Sequence, residues 1–292
     1  MKERMYGEVF RKLRKSKGYT LKEVTDGIAT HSYLSKFERG ECDISIRNFF
    51  SFLERLNTSW VEYASFFEEQ EFEGMELITR IDHHLSHNEF REIEYLVERE
   101  RSLSENGQNR AHRLNKILIL GVLSAVDSKY TLDEGDFEFL HHTLLSDESW
   151  GLYELRLFSL TLHLFPIEMN LMFAKEIFNK MKDYLKIREQ KKETRRVIIS
   201  TLHNLVDFCV REKEYTLAYM LLRQIEERLM TKNLYFNRLH QMFYLGLVEI
   251  KLGEDEIGAA KIRKAIQGFE VLDENKAKMY AKRIEKEGIN LR

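Results

Sequence analysis

The chain has 292 residues, 43% of them hydrophobic and 32% charged, with a formal net charge of −2, a globular composition that excludes a disordered polyampholyte. No run reaches the roughly 18 uncharged apolar residues of a membrane span, so no membrane partner is expected, and two cysteines, Cys42 and Cys209, exclude a disulfide scaffold and fit a reducing interior. One proline and 14 glycines leave few places for strands and hairpins to break, so an all-α fold of long helices is expected.

The opening residues include acids and lack an apolar core, which argues against a signal peptide and for a cytoplasmic protein. Residues 1–64 hold 12 lysines and arginines against 9 acidic residues, a local charge of +3. A modest positive bias suits a module that faces phosphates.

The first helix is expected from about Gly7 to Lys17, with Val9, Phe10 and Leu13 inward and Arg11, Lys12, Arg14, Lys15 and Lys17 elsewhere. Gly18 stops it. Thr20 and Glu23 form the capping-box pattern of a second helix. Thr30 caps a third, His31 to Glu38, in which Leu34 and Phe37 pack inward and leave His31, Ser32, Ser35 and Lys36 for DNA. Gly40 closes it. A fourth helix carries Ile46, Phe49, Phe50, Leu53 and Leu56 as its apolar stripe. Two short helices and a tight turn, the second helix polar on one face, are the sequence form of a helix-turn-helix. The expected DNA-contacting set is Arg11, Lys15, Thr20, Thr30, His31, Ser32, Ser35 and Lys36.

The run Leu34-Ser35-Lys36-Phe37-Glu38-Arg39-Gly40 resembles the end of the recognition helix in lambda-repressor-like (XRE) regulators. That resemblance implies that Arg14 pairs with Glu38 to brace two helices. The chain departs from the family in its turn: Gly27 lies three residues before Thr30, one more than usual. Phe37-Glu38-Arg39-Gly40, Asp43-Ile44-Ser45 and Phe49-Phe50-x-Phe52-Leu53 further resemble the Rgg/GadR/MutR regulators, part of the peptide-pheromone-sensing RRNPP group. The family layout implies a tetratricopeptide-like helical domain behind the helix-turn-helix, double-stranded operator DNA and a short intracellular signalling peptide as partners, and a homodimer. It also implies that Cys42, in the loop after the recognition helix, meets its counterpart across the two-fold as an interchain disulfide.

The acidic stretch Glu68–Gly74 is the best boundary, giving a helix-turn-helix domain at 1–65, a linker at 66–75 and a helical-repeat domain at 76–292. Tyr215-x-x-Ala218-x-x-Leu221-Leu222-x-x-Ile225 is similar to Glu256-x-x-Ala259-x-x-Ile262-x-x-Ala265-Ile266, with Phe173-Ala174-x-x-Ile177-Phe178 as a third copy. The clearest repeat unit runs from Tyr244-x-Gly246 through Ala259-Ala260 to Phe269, and such units stack into a solenoid. Three helix faces carry polar side chains at i, i+3/i+4, i+7 spacing: Arg156, Ser159 and His163; Ser200, Asn204, Asp207 and Arg211; Asn237, Gln241 and Tyr244. Amides such as Asn204 and Gln241 have the donors and acceptors to bond an extended peptide backbone. The residues alone leave an ordinary solvated face equally open; the resemblance implies a peptide groove.

His83-His84-x-x-His87 puts imidazoles on one helix face, yet the pattern supplies no sure third ligand, so neither metal nor cofactor is assigned. No phosphate loop, nucleophile elbow or Cys-x-x-Cys pair occurs, so no enzyme is expected. The expectation is a homodimeric, sequence-specific transcriptional regulator under peptide control, with the recognition helices about 34 Å apart and contacts with RNA polymerase open. The alternatives are a helix-turn-helix regulator whose helical domain only dimerises or binds protein, and a tetratricopeptide-type scaffold without DNA binding.

Overall fold

A computed structural model describes residues 2–67, 73–87, 89–107, 109–146, 150–184 and 191–291. Among these residues there is no strand, and no helix is long and apolar enough to cross a membrane. The chain divides into two compact units, Met1–Glu76 and Leu77–Arg292. Residues 68–72, the middle of the expected linker, lie outside the described residues.

The first unit holds α1 (Lys2–Ser16), α2 (Leu21–Thr25), α3 (His31–Glu38), α4 (Ile46–Arg55) and α5 (Trp60–Ala64). The element that departs from expectation is α1, which begins at Lys2. Gly7 therefore lies within the helix, where a Cβ would strike the Phe37 carbonyl, so glycine here serves the close approach of α1 to α3. Phe10, Leu34, Phe52, Leu53 and Leu56 are nearly inaccessible and form the small core, with Phe49 against Tyr63 edge-on at 4.9 Å. The α2–α3 turn uses Gly27 at φ +69°, a left-handed conformation that disfavours a side chain. The Thr25 carbonyl then accepts from the amides of Ile28 and Ala29.

After α6 (Glu73–Ser86), the second unit contains α7 (Phe90–Gly107), α8 (Arg110–Val126), α9 (Glu134–Ser146), α10 (Leu152–Thr161), α11 (Ile167–Tyr184) and α12 (Lys191–Arg211). It ends with α13 (Tyr215–Arg228), α14 (Tyr235–Lys251), α15 (Asp255–Leu272) and α16 (Glu274–Lys286). Consecutive helices pack as pairs, α7 with α8, α12 with α13 and α14 with α15, while α8, α10, α12 and α14 touch in series as an inner row. This is a tetratricopeptide-like solenoid, and the pairs share one apolar core. The α14–α15 pair is the tightest: a Cβ on Gly246 would strike the Gly258 carbonyl, and one on Gly258 the Gly246 carbonyl. Ala259, Ile262, Ala265 and Phe269 fill its seam, as Ala218, Leu221, Leu222 and Ile225 fill that of α13.

Candidate functional site

Two regions gather the polar residues of interest. The first is the outer face of α3. Thr30 caps this helix by accepting from the Tyr33 amide at 3.2 Å, and the burial of Leu34 and Phe37 turns His31, Ser32 and Lys36 to solvent. Ser35 is half-buried, and its hydroxyl accepts a hydrogen bond from Arg39, whose other edge holds Glu41 at 2.5 and 2.8 Å. Arg39 was not in the expected set; its place four residues after Ser35 is the signal that puts a cation on this face.

Arg11 and Lys15 are exposed on α1, and Thr20 is exposed before α2. The Thr20 backbone amide and then its hydroxyl, each donating to Glu23 at 2.7 Å within the capping box, hold the Glu23 carboxyl below its usual value.

Behind α3 the structure is rigidly tied. Arg14 donates to both carboxylate oxygens of Glu38, at 2.6 and 2.7 Å, and also to the Tyr19 carbonyl at 2.7 Å. Both side chains are buried, so the pair is satisfied away from water. Arg55 of α4 donates to the carbonyls of Glu23 and Asp26, each at 3.0 Å, and so satisfies the exposed end of α2. Cys42 is half-buried, with Sγ 3.8 Å from the Tyr33 carbonyl, and borders an open groove of about 810 Å³ with Ile44, Ile46, Phe49 and Trp60.

The second region is a cleft of about 280 Å³ where α8, α10 and α12 meet. Val122, Val126, Leu160 and Leu162 supply apolar walls, while Ser159, His163, Asn204, Asp207 and Arg211 supply polar ones. Asn204 donates to the Ser159 hydroxyl at 2.9 Å, and both remain within reach of solvent. His163 shares a 2.9 Å hydrogen bond with Ser124, and burial followed by the nearby Arg211 lowers its pKa. Asp207 is the hub: Tyr244 donates to it at 3.2 Å, Arg211 lies 3.3 Å away, and Arg283 of α16 makes a close ion pair. No spacing rule links Arg283 to Asp207, which are 76 residues apart.

Three expected groove residues of α14, Asn237, Gln241 and Tyr244, are buried rather than solvent-facing, and this corrects the sequence reading. Gln241 is 4% exposed; its amide donates to the Leu222 carbonyl at 2.7 Å and its oxygen is 2.8 Å from His203. Each end of the amide carries a hydrogen bond within the core, and burial keeps the remaining N–H and lone pair from an incoming backbone. Asn237 is likewise buried on α14. Arg156, Ser200 and Tyr244 do not line the cleft, although Tyr244 reaches it through Asp207. A buried network replaces the expected polar stripe on α14: His203, Gln241, and His240 with Tyr280. Burial pushes His203 down to about 4 and, with His203 and Lys276 nearby, His240 to about 3.

A helix-turn-helix bundle joined to a tetratricopeptide-like solenoid is the architecture of a transcriptional regulator rather than an enzyme. The family model of the C-terminal domain of the HTH-type transcriptional regulator Rgg matches residues 96–282, and the chain belongs to that family. Among solved structures, a Listeria monocytogenes EGD-e protein described as a transcriptional regulator is similar with a TM-score of 0.82 and 23% identity, over 99% of this chain and 100% of that one. The SHP pheromone receptor Rgg2 of Streptococcus dysgalactiae is similar at 0.79 and 21% identity, over 97% and 99% of the two chains. A bacterial peptide pheromone/receptor complex is similar at 0.69 and 14% identity, over 96% of each chain.

Proposed function

We propose that the protein is a homodimeric, sequence-specific regulator that binds operator DNA through α3 and takes a short signalling peptide in the α8–α10–α12 cleft. The observation that carries the reading is the make-up of that cleft: an apolar floor beside a solvent-reachable amide, a hydroxyl and a carboxylate on neighbouring helices. A short peptide needs both kinds of contact, side chains on apolar surface and backbone on fixed polar groups. The description of one similar structure as a pheromone receptor, and of another as a peptide pheromone/receptor complex, supports the same reading.

At the other end of the chain, His31, Ser32 and Lys36 form a polar and basic face, Ser35 is held by Arg39, and the exposed Arg11, Lys15, Thr20 and Thr30 would contact phosphates. A dimer would present two such helices to half-sites one turn of DNA apart. Peptide binding would change the freedom or spacing of those helices, or contacts with RNA polymerase.

Calorimetry with culture-derived peptides tests the cleft. The parent is expected to bind and Asn204→Ala to bind at least tenfold more weakly. Equal binding by the two proteins overturns the cleft assignment, and no peptide binding at all favours a helical unit that only dimerises.

A further inference from the structure

The turn between α6 and α7 does what the histidine pattern alone leaves undone. It brings a carboxylate onto the imidazoles. The Glu89 amide donates to the His84 carbonyl at 2.8 Å, which folds the chain back after α6 and sets Glu89 Oε2 2.7 Å from His84 Nδ1. The rings of His83 and His84 have centroids 5.5 Å apart, and a ligand atom from each of His83, His84 and Glu89 falls within 4.8 Å of the other two.

From this geometry we infer that His83, His84 and Glu89 form a binding site for a borderline divalent transition-metal ion of the zinc, nickel or copper class. Two imidazole nitrogens and one carboxylate oxygen are the donor set those ions prefer, whereas magnesium and calcium take oxygen. Bonds of about 2.0–2.2 Å in a tetrahedron put ligand atoms roughly 3.4 Å apart. The present spacings are compatible with that value: the His84–Glu89 pair, at 2.7 Å, opens slightly, and the ligand atoms, all within 4.8 Å of one another, adjust by motions of side chains that reach solvent. The fourth position falls to water. The two histidines also stand in the last turn of α6, where the helix carries its partial negative charge and favours a cation.

The ion would join the last turn of α6 to the residue preceding α7. Since α6 is the helix in which the chain passes from the first unit to the second, the site fixes how that helix ends. Nothing in the proposed peptide or DNA contacts depends on it.

The test is competition of tag-free, full-length protein against a chromophoric indicator loaded with zinc, in a Cys42→Ser background to remove the accessible thiol. One equivalent per chain is expected at micromolar affinity, with His84→Ala and Glu89→Gln each weakening it at least tenfold while leaving the melting temperature of the metal-free protein unchanged. X-ray absorption of the zinc-loaded protein is expected to show a nitrogen and oxygen shell with imidazole outer scattering. Uptake unchanged in both variants, absence of uptake by the parent, or a sulfur shell overturns the assignment.

Discussion

The guanidinium of Arg14 lies edge to edge with the carboxylate of Glu38, the two side chains 8% and 4% exposed. The pair joins α1 to the last residue of α3, so the helix that presents His31, Ser32 and Lys36 is anchored by a charge pair rather than by apolar contact alone. Glu38→Ala leaves a buried guanidinium with only the Tyr19 carbonyl, and a loss of about 3–5 kcal/mol is expected. Urea unfolding monitored within the first unit checks it. The double replacement Arg14→Met, Glu38→Leu removes both charges and is expected to recover most of that loss.

Replacing His31, Ser32 and Lys36 with alanine touches no core residue, since all three are exposed. Operator affinity in gel shifts is expected to fall at least tenfold with unchanged helical circular dichroism. Lys36→Ala alone, if it contacts phosphate, lowers the salt slope of binding by about 1. A triple variant that binds like the parent would mean that α3 is not the reading helix.

Asn204 and Gln241 make a contrasting pair. The Asn204 amide is exposed and donates to the Ser159 hydroxyl, so Asn204→Ala is expected to change stability by less than about 0.5 kcal/mol. Gln241→Ala takes from the His203 ring its side-chain partner, removes a second donor from the Leu222 carbonyl and opens a void, with an expected cost of about 2–4 kcal/mol. Chemical denaturation of the second unit separates the two.

Buried His203 and half-buried His240 make the second unit acid-sensitive. Their folded pKa values, about 4 and about 3, lie below the ordinary 6.5. The unfolded chain therefore takes up protons first as pH falls. The contribution of these groups to stability is complete above about 6.5 and declines below it, by roughly 1 kcal/mol per pH unit for each group. Denaturation midpoints between about pH 6.5 and 5.5, where ordinary carboxylates remain mostly ionised, measure this slope. A His203→Gln, His240→Asn double variant is expected to flatten it.

Cys42 borders the apolar groove of the first unit. On the proposed dimer an interchain disulfide forms there, and a non-reducing gel of oxidised protein is expected to show a dimer band that disappears in Cys42→Ser. A band that persists in the variant rejects the bridge. Cys209 is buried and its thiol is pushed up to about 12, so it does not compete.

The helix-turn-helix was legible because local chemistry writes it plainly: Thr20 with Glu23, Thr30 before α3, and Gly40 at φ +67° where α3 ends. The repeat character was legible for the same reason, since Ala218 and Ala259 sit at the seams of packed helix pairs. The groove was only half legible. Asn204 and Gln241 occupy equivalent-looking positions on polar helix faces, and only the location of the Leu222 carbonyl and His203 decides that one amide is outside and the other inside. Gly7 reads as a place for a helix to start, and becomes a contact only when α3 is laid across it. Glu89 reads as one more acid on a charged helix until the turn after α6 folds it back on His84.

The tie between Asp207 and Arg283 has a temporal side. The residues are 76 positions apart, so at roughly 5–20 residues per second the ribosome takes about 4–15 s to supply the second partner after the first. During that interval the cleft carboxylate has only the neighbouring Arg211 and, later, Tyr244. A nascent chain thus gains the full set of partners at Asp207 only once α16 has been made.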